Sequence, residues 1–131
     1  NDSIDIANKL INENILNLIN TDLVNYYNTP GDFINLINFS KLNNLDLKKF
    51  SLSNFLSLLI NEKYYKKDEF MKSYIFNFIE IYFLKIFSQS TYKNDVINFY
   101  SKFINKVNDT SKFNLDQDSL FMELKSKILN G

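Results

Sequence analysis

The residues of this sequence that could do chemistry are its carboxylates and its lysines, because it contains no histidine and no cysteine. The commonest general base, the usual zinc ligands and a thiolate nucleophile are therefore excluded. A pair of carboxylates could still act as general acid and general base. The candidates are Asp46, Asp68, Glu69, Glu80, Asp95, Asp109, Asp116, Asp118 and Glu123.

Most of these carboxylates occur in polar stretches, where an acidic side chain caps a helix or stays hydrated. The sequence also lacks a glycine-rich loop that could cradle a phosphate, so no nucleotide cofactor is expected. We therefore predict a protein that is not an enzyme, and we assign no catalytic, cofactor-binding or metal-binding residue.

The charged residues argue against a nucleic-acid partner. Fifteen basic residues balance 15 acidic ones, whereas nucleic-acid binding usually requires a basic face. All the basic residues are lysines, so no guanidinium group is present to read a base edge. Lys63, Lys66 and Lys67 form a local cluster that we interpret as a solvated helix end.

One stretch resembles the end of an EF-hand calcium loop running into its exit helix. It extends from Phe50 to Leu56, and a fainter resemblance covers Phe113 to Asp116. Calcium requires oxygen ligands at the first, third and fifth loop positions, glycine at the sixth and glutamate at the twelfth. Those positions hold Asn43, Leu45, Leu47, Lys48 and Asn54 in the first stretch, and Asn108, Thr110, Lys112, Phe113 and Ser119 in the second. The resemblance implies at most a degenerate relative of EF-hand light chains, and no calcium binding is predicted.

The composition indicates a folded, all-α protein. Of the 131 residues, 45% are hydrophobic and 16% are aromatic, which is enough apolar material for one core. Only two glycines and one proline are present, whereas an all-β chain needs many tight turns built from such residues. We predict a single helical domain over residues 1–131, a compact bundle of five to six helices.

Apolar residues at steps of three and four predict where the helices lie. Asn28 to Asp32 is the clearest break, because proline disfavours helix at the residue before it and can open the next helix. A polar break is also expected from Asp109 to Lys112. The helices predicted outside the centre of the fold run from Ser3 to about Tyr27, from Pro30 to Lys41, from Ser51 or Ser53 to about Tyr64, from Lys93 to Asn108, and from Asp116 to Leu129.

The segment at about residues 68–88 is predicted to be the central helix. At 100° per residue, its polar side chains fall on one narrow stripe, formed by Ser73, Asn77, Glu80 and Ser88. The rest of its surface is aromatic and aliphatic, as expected for a helix that is buried on most sides. A membrane span would need about 20 predominantly apolar residues, so we favour a buried core helix.

Asparagine occupies 21 positions and arginine none. Residues encoded by A/T-rich codons prevail, and this composition resembles that of proteins from very AT-rich genomes, those of malaria parasites among them. The chain begins without methionine or a recognisable leader, so we expect a domain excised from a longer chain.

The function predicted by elimination is a protein–protein interaction or scaffold module. Thirteen phenylalanines and eight tyrosines, with the isoleucine and leucine content, exceed what one small core hides, and exposed apolar patches mark partner sites. Tyr26, Tyr27, Tyr64 and Tyr65 are expected at core edges, with their rings packed and their hydroxyls in water. The alternatives are a helical domain that contacts a membrane surface and the light-chain relative without calcium.

Overall fold

The computed structural model describes residues 2–24, 28–113 and 117–129, with the backbone alone for residues 110–113. Over these ranges the fold is all-α, without strands, which confirms the predicted class. Its helices are α1 (Asp2–Ile11), α2 (Ile15–Leu18), α3 (Pro30–Leu42), α4 (Leu52–Asn61), α5 (Tyr64–Lys67), α6 (Glu69–Gln89), α7 (Lys93–Phe113) and α8 (Gln117–Leu124). Since α2 and α5 have four residues each, six longer helices remain in the described ranges, as predicted.

The chain divides into two compact units, Asn1–Leu52 and Ser53–Gly131. The first contains α1 to α3, and the second contains nearly all of α4 and everything that follows it. The boundary falls at the first residue of α4. A single domain over residues 1–131 therefore stays a prediction.

The prediction of one long first helix is wrong. The chain leaves α1 after Ile11, and Asn12 adopts the left-handed backbone conformation with φ of 59°. The side-chain oxygen of Asn14 accepts a hydrogen bond from the backbone N–H of Leu16 at 3.1 Å, and that of Asn20 from Asp22 at 2.9 Å. Asparagine side chains thus start new turns where apolar spacing indicated one helix. The predicted end at Tyr27 lies outside the described residues.

The start of α3 at Pro30 is confirmed. The Thr29 hydroxyl oxygen accepts a hydrogen bond from the backbone N–H of Asp32 at 3.1 Å, while the Asp32 carboxylate accepts from the backbone N–H of Thr29 at 2.9 Å. This reciprocal capping box and the fixed φ of Pro30 determine where the helix begins. Phe33 and Leu36 are buried one turn apart on its inner face.

The helix predicted to be central to the bundle is α6, and it is the central helix of the second unit. The Asp68 carboxylate caps it by accepting a hydrogen bond from the backbone N–H of Met71 at 3.0 Å. The Phe78 ring packs edge-on against Phe55 of α4 at 5.4 Å. Further ring contacts join α6 to the last two helices, those of Phe83 with Phe99, Tyr100 and Phe103 of α7, and that of Phe76 with Phe121 of α8.

The predicted break between the last two long helices is misplaced. Helix α7 begins at Lys93 as expected but continues to Phe113, through the polar stretch from Asp109 to Lys112. Polar residues without glycine or proline permit a helix to continue, because their helix propensities are only modestly unfavourable. Helix α8 ends at Leu124, and a π-helical turn extends it over Lys125–Leu129. The predicted first residue of this helix, Asp116, lies outside the described residues.

Candidate functional site

The carboxylates that could have served catalysis do not converge on one site. Asp46 caps a 3-10 turn, where its carboxylate accepts a hydrogen bond from a backbone N–H group at 3.1 Å. Asp68 caps α6 in the same way at 3.0 Å. Glu69 pairs with Lys72 at 2.5 Å. Three more carboxylates are exposed: Glu80, Asp95 and Asp109. Two others, Asp118 and Glu123, form ion pairs with lysines. The last candidate, Asp116, lies outside the described residues.

Asp118, near the start of α8, is the focus of a polar cluster. Lys66 Nζ lies 2.8 Å and Lys63 Nζ 3.4 Å from one carboxylate oxygen, and the Tyr65 hydroxyl donates a hydrogen bond to the other. The Lys66 hydrogen bond, followed by that from Tyr65, lowers the pKa of Asp118 from 3.8 to about 2. Lys63 and Lys66 are thus engaged rather than only solvated, and the hydroxyl of buried Tyr65 binds a carboxylate rather than water. The cluster joins α8 to the helix end that precedes α6.

Replacing Asp118 with asparagine is expected to lower stability at neutral pH and to change its acid dependence. Because the folded-state pKa lies below the unfolded one, the ionised carboxylate stabilises the fold above about pH 4, and this contribution is lost as the pH falls towards 2. Urea unfolding of both proteins between about pH 7 and pH 2.5 measures the effect. The difference between them should shrink across the acid range, whereas Asp109→Asn, at an exposed position, serves as the control. A difference that is the same at every pH would contradict this role.

A charged cleft of about 430 Å³ lies between α7 and α8. Within it, Lys106 Nζ and Lys127 Nζ contact the Glu123 carboxylate at 2.8 and 3.2 Å. These lysines, with Lys106 contributing most, lower the pKa of Glu123. The lining of the cleft also includes Lys102 and Asp95, so it carries charges of both signs.

An apolar groove of about 290 Å³ lies between α6 and α7. Two of its side chains are unusually accessible for their type, with Leu84 60% exposed and Ile97 47% exposed. The floor is formed by Phe83, which is buried against α7. The other apolar or aromatic residues of its lining are Phe87, Val96 and Tyr100.

Helical periodicity explains why Leu84 and Ile97 face outward. Glu80, Leu84 and Ser88 recur every four residues, so all three lie on one exposed stripe of α6. Ile97 and Ser101 share the corresponding stripe of α7, where both are exposed. The groove therefore combines an apolar centre with a polar margin, which is the usual anatomy of a protein-binding surface.

The two ends of the groove carry opposite charges. Glu80 lies near Tyr100 at one end, where burial and, secondarily, the negative charge of Glu80 raise the pKa of Tyr100. At the other end, Lys93 Nζ lies 5.3 Å from the centre of the Phe87 ring. Neither Glu80 nor Lys93 forms an ion pair with the described residues. Both residues are exposed.

Sequence reasoning expected exposed apolar surface but did not identify where it lies. The signal was present in the polar stripe of α6, because the same 100° spacing places Leu84 between Glu80 and Ser88. Tyr64 is half-buried, with Lys67 Nζ 5.7 Å above its ring, whereas Tyr26 and Tyr27 lie outside the described residues.

The two EF-hand-like stretches have other structural roles. In the first, Asn43 ends α3 and its side-chain amide donates a hydrogen bond to the backbone oxygen of Phe39 at 2.9 Å. The second is helical rather than a loop over residues 108–113. In the described ranges no three acidic, histidine or cysteine residues cluster as a metal site would require. The absence of calcium binding stays a prediction.

Across the described residues, none of the helices is both long enough and apolar enough to cross a membrane. Comparisons with protein-family models, with curated proteins and with solved structures find nothing that matches this chain.

Proposed function

We propose that this chain is a non-enzymatic protein-interaction module that contacts its partner through the groove between α6 and α7. The observation that carries the proposal is the exposure of Leu84 and Ile97, which line the groove and do not belong to the buried core. Covering these two side chains with a partner removes apolar surface from water, which is the main driving force of protein association.

The character of the groove also supports a protein partner. Its lining is apolar and aromatic at the centre, and its polar residues, Glu80 and Ser101, accompany rather than replace that apolar surface. An enzyme would instead need nucleophiles, bases or oxyanion donors gathered in the pocket. The 131 residues include no histidine or cysteine to supply the commonest of these groups.

A membrane surface is the second possible occupant, and the charges at the groove argue against it. Peripheral helices that bind anionic lipid usually present several basic residues beside the apolar face. Glu80 and Lys93 instead give one negative and one positive end. Pelleting with anionic liposomes tests this alternative, because lipid binding abolished by Leu84→Asp would assign the groove to a membrane.

Photo-crosslinking of the protein in the cells that normally make it tests the proposal. A photoreactive residue replacing Ile97 should form a covalent adduct with a polypeptide, either a second copy or another protein. Adding Leu84→Asp should abolish that adduct, because a charge at the apolar centre must be desolvated for a partner to dock.

The matched control carries the photoreactive residue in place of Leu42, which is 77% exposed on α3. Its adducts should be fewer and should not respond to Leu84→Asp. If position 97 gives no more polypeptide adduct than position 42, or if the adduct survives Leu84→Asp, the groove is not the interaction site.

A further inference from the structure

We propose that the partner at the α6–α7 groove is a second copy of this chain, arranged so that Glu80 of each copy faces Lys93 of the other. This inference rests on the proposed function and names its partner. The contact would be isologous, with the same surface used by both copies and every pairing made twice.

The first argument is that the groove complements itself in charge. It has one acidic end, at Glu80, and one basic end, where Lys93 Nζ lies over the Phe87 ring. A two-fold axis across the middle of the groove exchanges the two ends. The Glu80 carboxylate of each copy then faces the Lys93 ammonium group of the other copy, and the apolar centres of the two grooves contact each other.

The second argument is the direction of the two helices. Only three residues, Ser90 to Tyr92, separate α6 from α7. On α6, Phe83 contacts the later residues Phe99, Tyr100 and Phe103 of α7. Phe87, one turn later on α6, lies beside Lys93 at the start of α7. The helices are therefore antiparallel, and Glu80 and Lys93 lie at opposite ends of the shared face. Glu80 and Phe87 are about 10 Å apart along α6 at the usual helical rise. Leu84, midway between them, lies near the proposed axis.

The third argument is size. Helices α6 and α7 have 21 residues each, so each is about 30 Å long. With helix axes about 8–10 Å apart, their common outer face offers at most about 600 Å² per copy. Two such faces bury about 1,200 Å², the lower limit of a specific interface. The expected dimer is consequently weak and concentration-dependent.

A different protein could bind in the same way only if its surface presented the opposite charge to each end of the groove. A second copy supplies the apolar centre and both charges on one face of known sequence. It also leaves unchanged the buried contacts of Phe83 and Phe103, because only residues at the surface take part.

Sedimentation velocity of the chain between about 1 µM and about 500 µM tests self-association, since a small interface binds in the micromolar range or weaker. The unmodified protein should shift from monomer to dimer across this range. Leu84→Asp should raise the dissociation constant at least about tenfold, because the change occurs twice at the centre of the interface. Leu42→Asp, on the exposed surface of α3, should leave the dissociation constant unchanged.

A charge exchange then identifies the partner. Glu80→Lys alone and Lys93→Glu alone should each weaken the dimer, because each places like charges opposite one another. The double variant, Glu80→Lys with Lys93→Glu, should recover the affinity of the unmodified protein. Recovery is expected only when residue 80 of each copy faces residue 93 of the other copy, because the exchange then restores opposite charges at both contacts. Unchanged thermal unfolding of all variants would confirm that they fold.

Any one of three results would overturn the self-association proposal. These are a monomer at every concentration, a dimer that survives Leu84→Asp, and a double variant whose dimer affinity is no higher than that of the single variants. The proposed function fails separately. A monomeric chain whose position 97 still crosslinks to another protein, in a manner that requires Leu84, would retain the interaction module and remove only the second copy.

Discussion

Replacing Phe78 with alanine is expected to destabilise the second unit by about 3–5 kcal/mol, through lost burial and the cavity left behind. The ring is fully buried in α6, and it contacts Phe55 of α4 at 5.4 Å and Tyr74 at 5.1 Å. A domain of this size has a total stability of only about 5–15 kcal/mol. The substitution should therefore remove a large share of it, as measured by urea unfolding.

The matched control is the preceding residue, Asn77, whose side chain is exposed on the same helix. Asn77→Ala should change the free energy of unfolding by no more than about 0.5 kcal/mol, because no buried contact is lost. Indistinguishable unfolding curves for the two variants would mean that α6 is not the centre of the unit. The groove would then lose the rigid support on which its shape depends.

The sequence predicts the central helix well because its signal is redundant. Ser73, Asn77, Glu80 and Ser88 are the polar members of one stripe, and the structure leaves all four exposed. On the aromatic and aliphatic surface that was expected to be buried, Phe78 is fully buried, whereas Tyr82 is only half-buried. A helix surrounded on most sides has many apolar residues, so errors at single positions do not change its assignment.

Local chemistry of asparagine limits prediction in the first unit. Ile4, Ala7, Ile11 and Ile15 have helical spacing, yet Asn12 turns the chain between them. Periodicity reports which faces are apolar, but it does not report whether an asparagine side chain caps a new turn. That choice depends on a balance of about 1 kcal/mol between competing hydrogen bonds.

Tertiary contacts of charged residues are the least accessible to sequence reasoning. Lys66 and Asp118 are 52 residues apart, and nothing in the spacing of either indicates that they meet. The Glu123–Lys127 pair was predictable because both residues lie on one helical segment, one turn apart. The positions of the two charged ends of the groove were likewise not predictable from spacing, because Glu80 and Lys93 belong to different helices.

The attachment of α8 should depend on Phe121 to a similar degree as the core depends on Phe78. Its fully buried ring lies 4.3 Å from that of Tyr65 and 5.8 Å from that of Phe76. Phe121→Ala should cost about 3–5 kcal/mol in urea unfolding. Met122→Ala, at the next position, should cost about 0.5 kcal/mol or less, because Met122 is 52% exposed.

A second measurement distinguishes a loosened α8 from general destabilisation. Asp118 lies one turn before Phe121, and its pKa is lowered to about 2 only while Lys66 and Tyr65 reach it. If Phe121→Ala releases α8 within an otherwise folded protein, an NMR titration should show the pKa of Asp118 returning towards 3.8. In Met122→Ala the low pKa should persist. A pKa that stays low in Phe121→Ala would mean that the Asp118 cluster holds α8 without the aromatic contact.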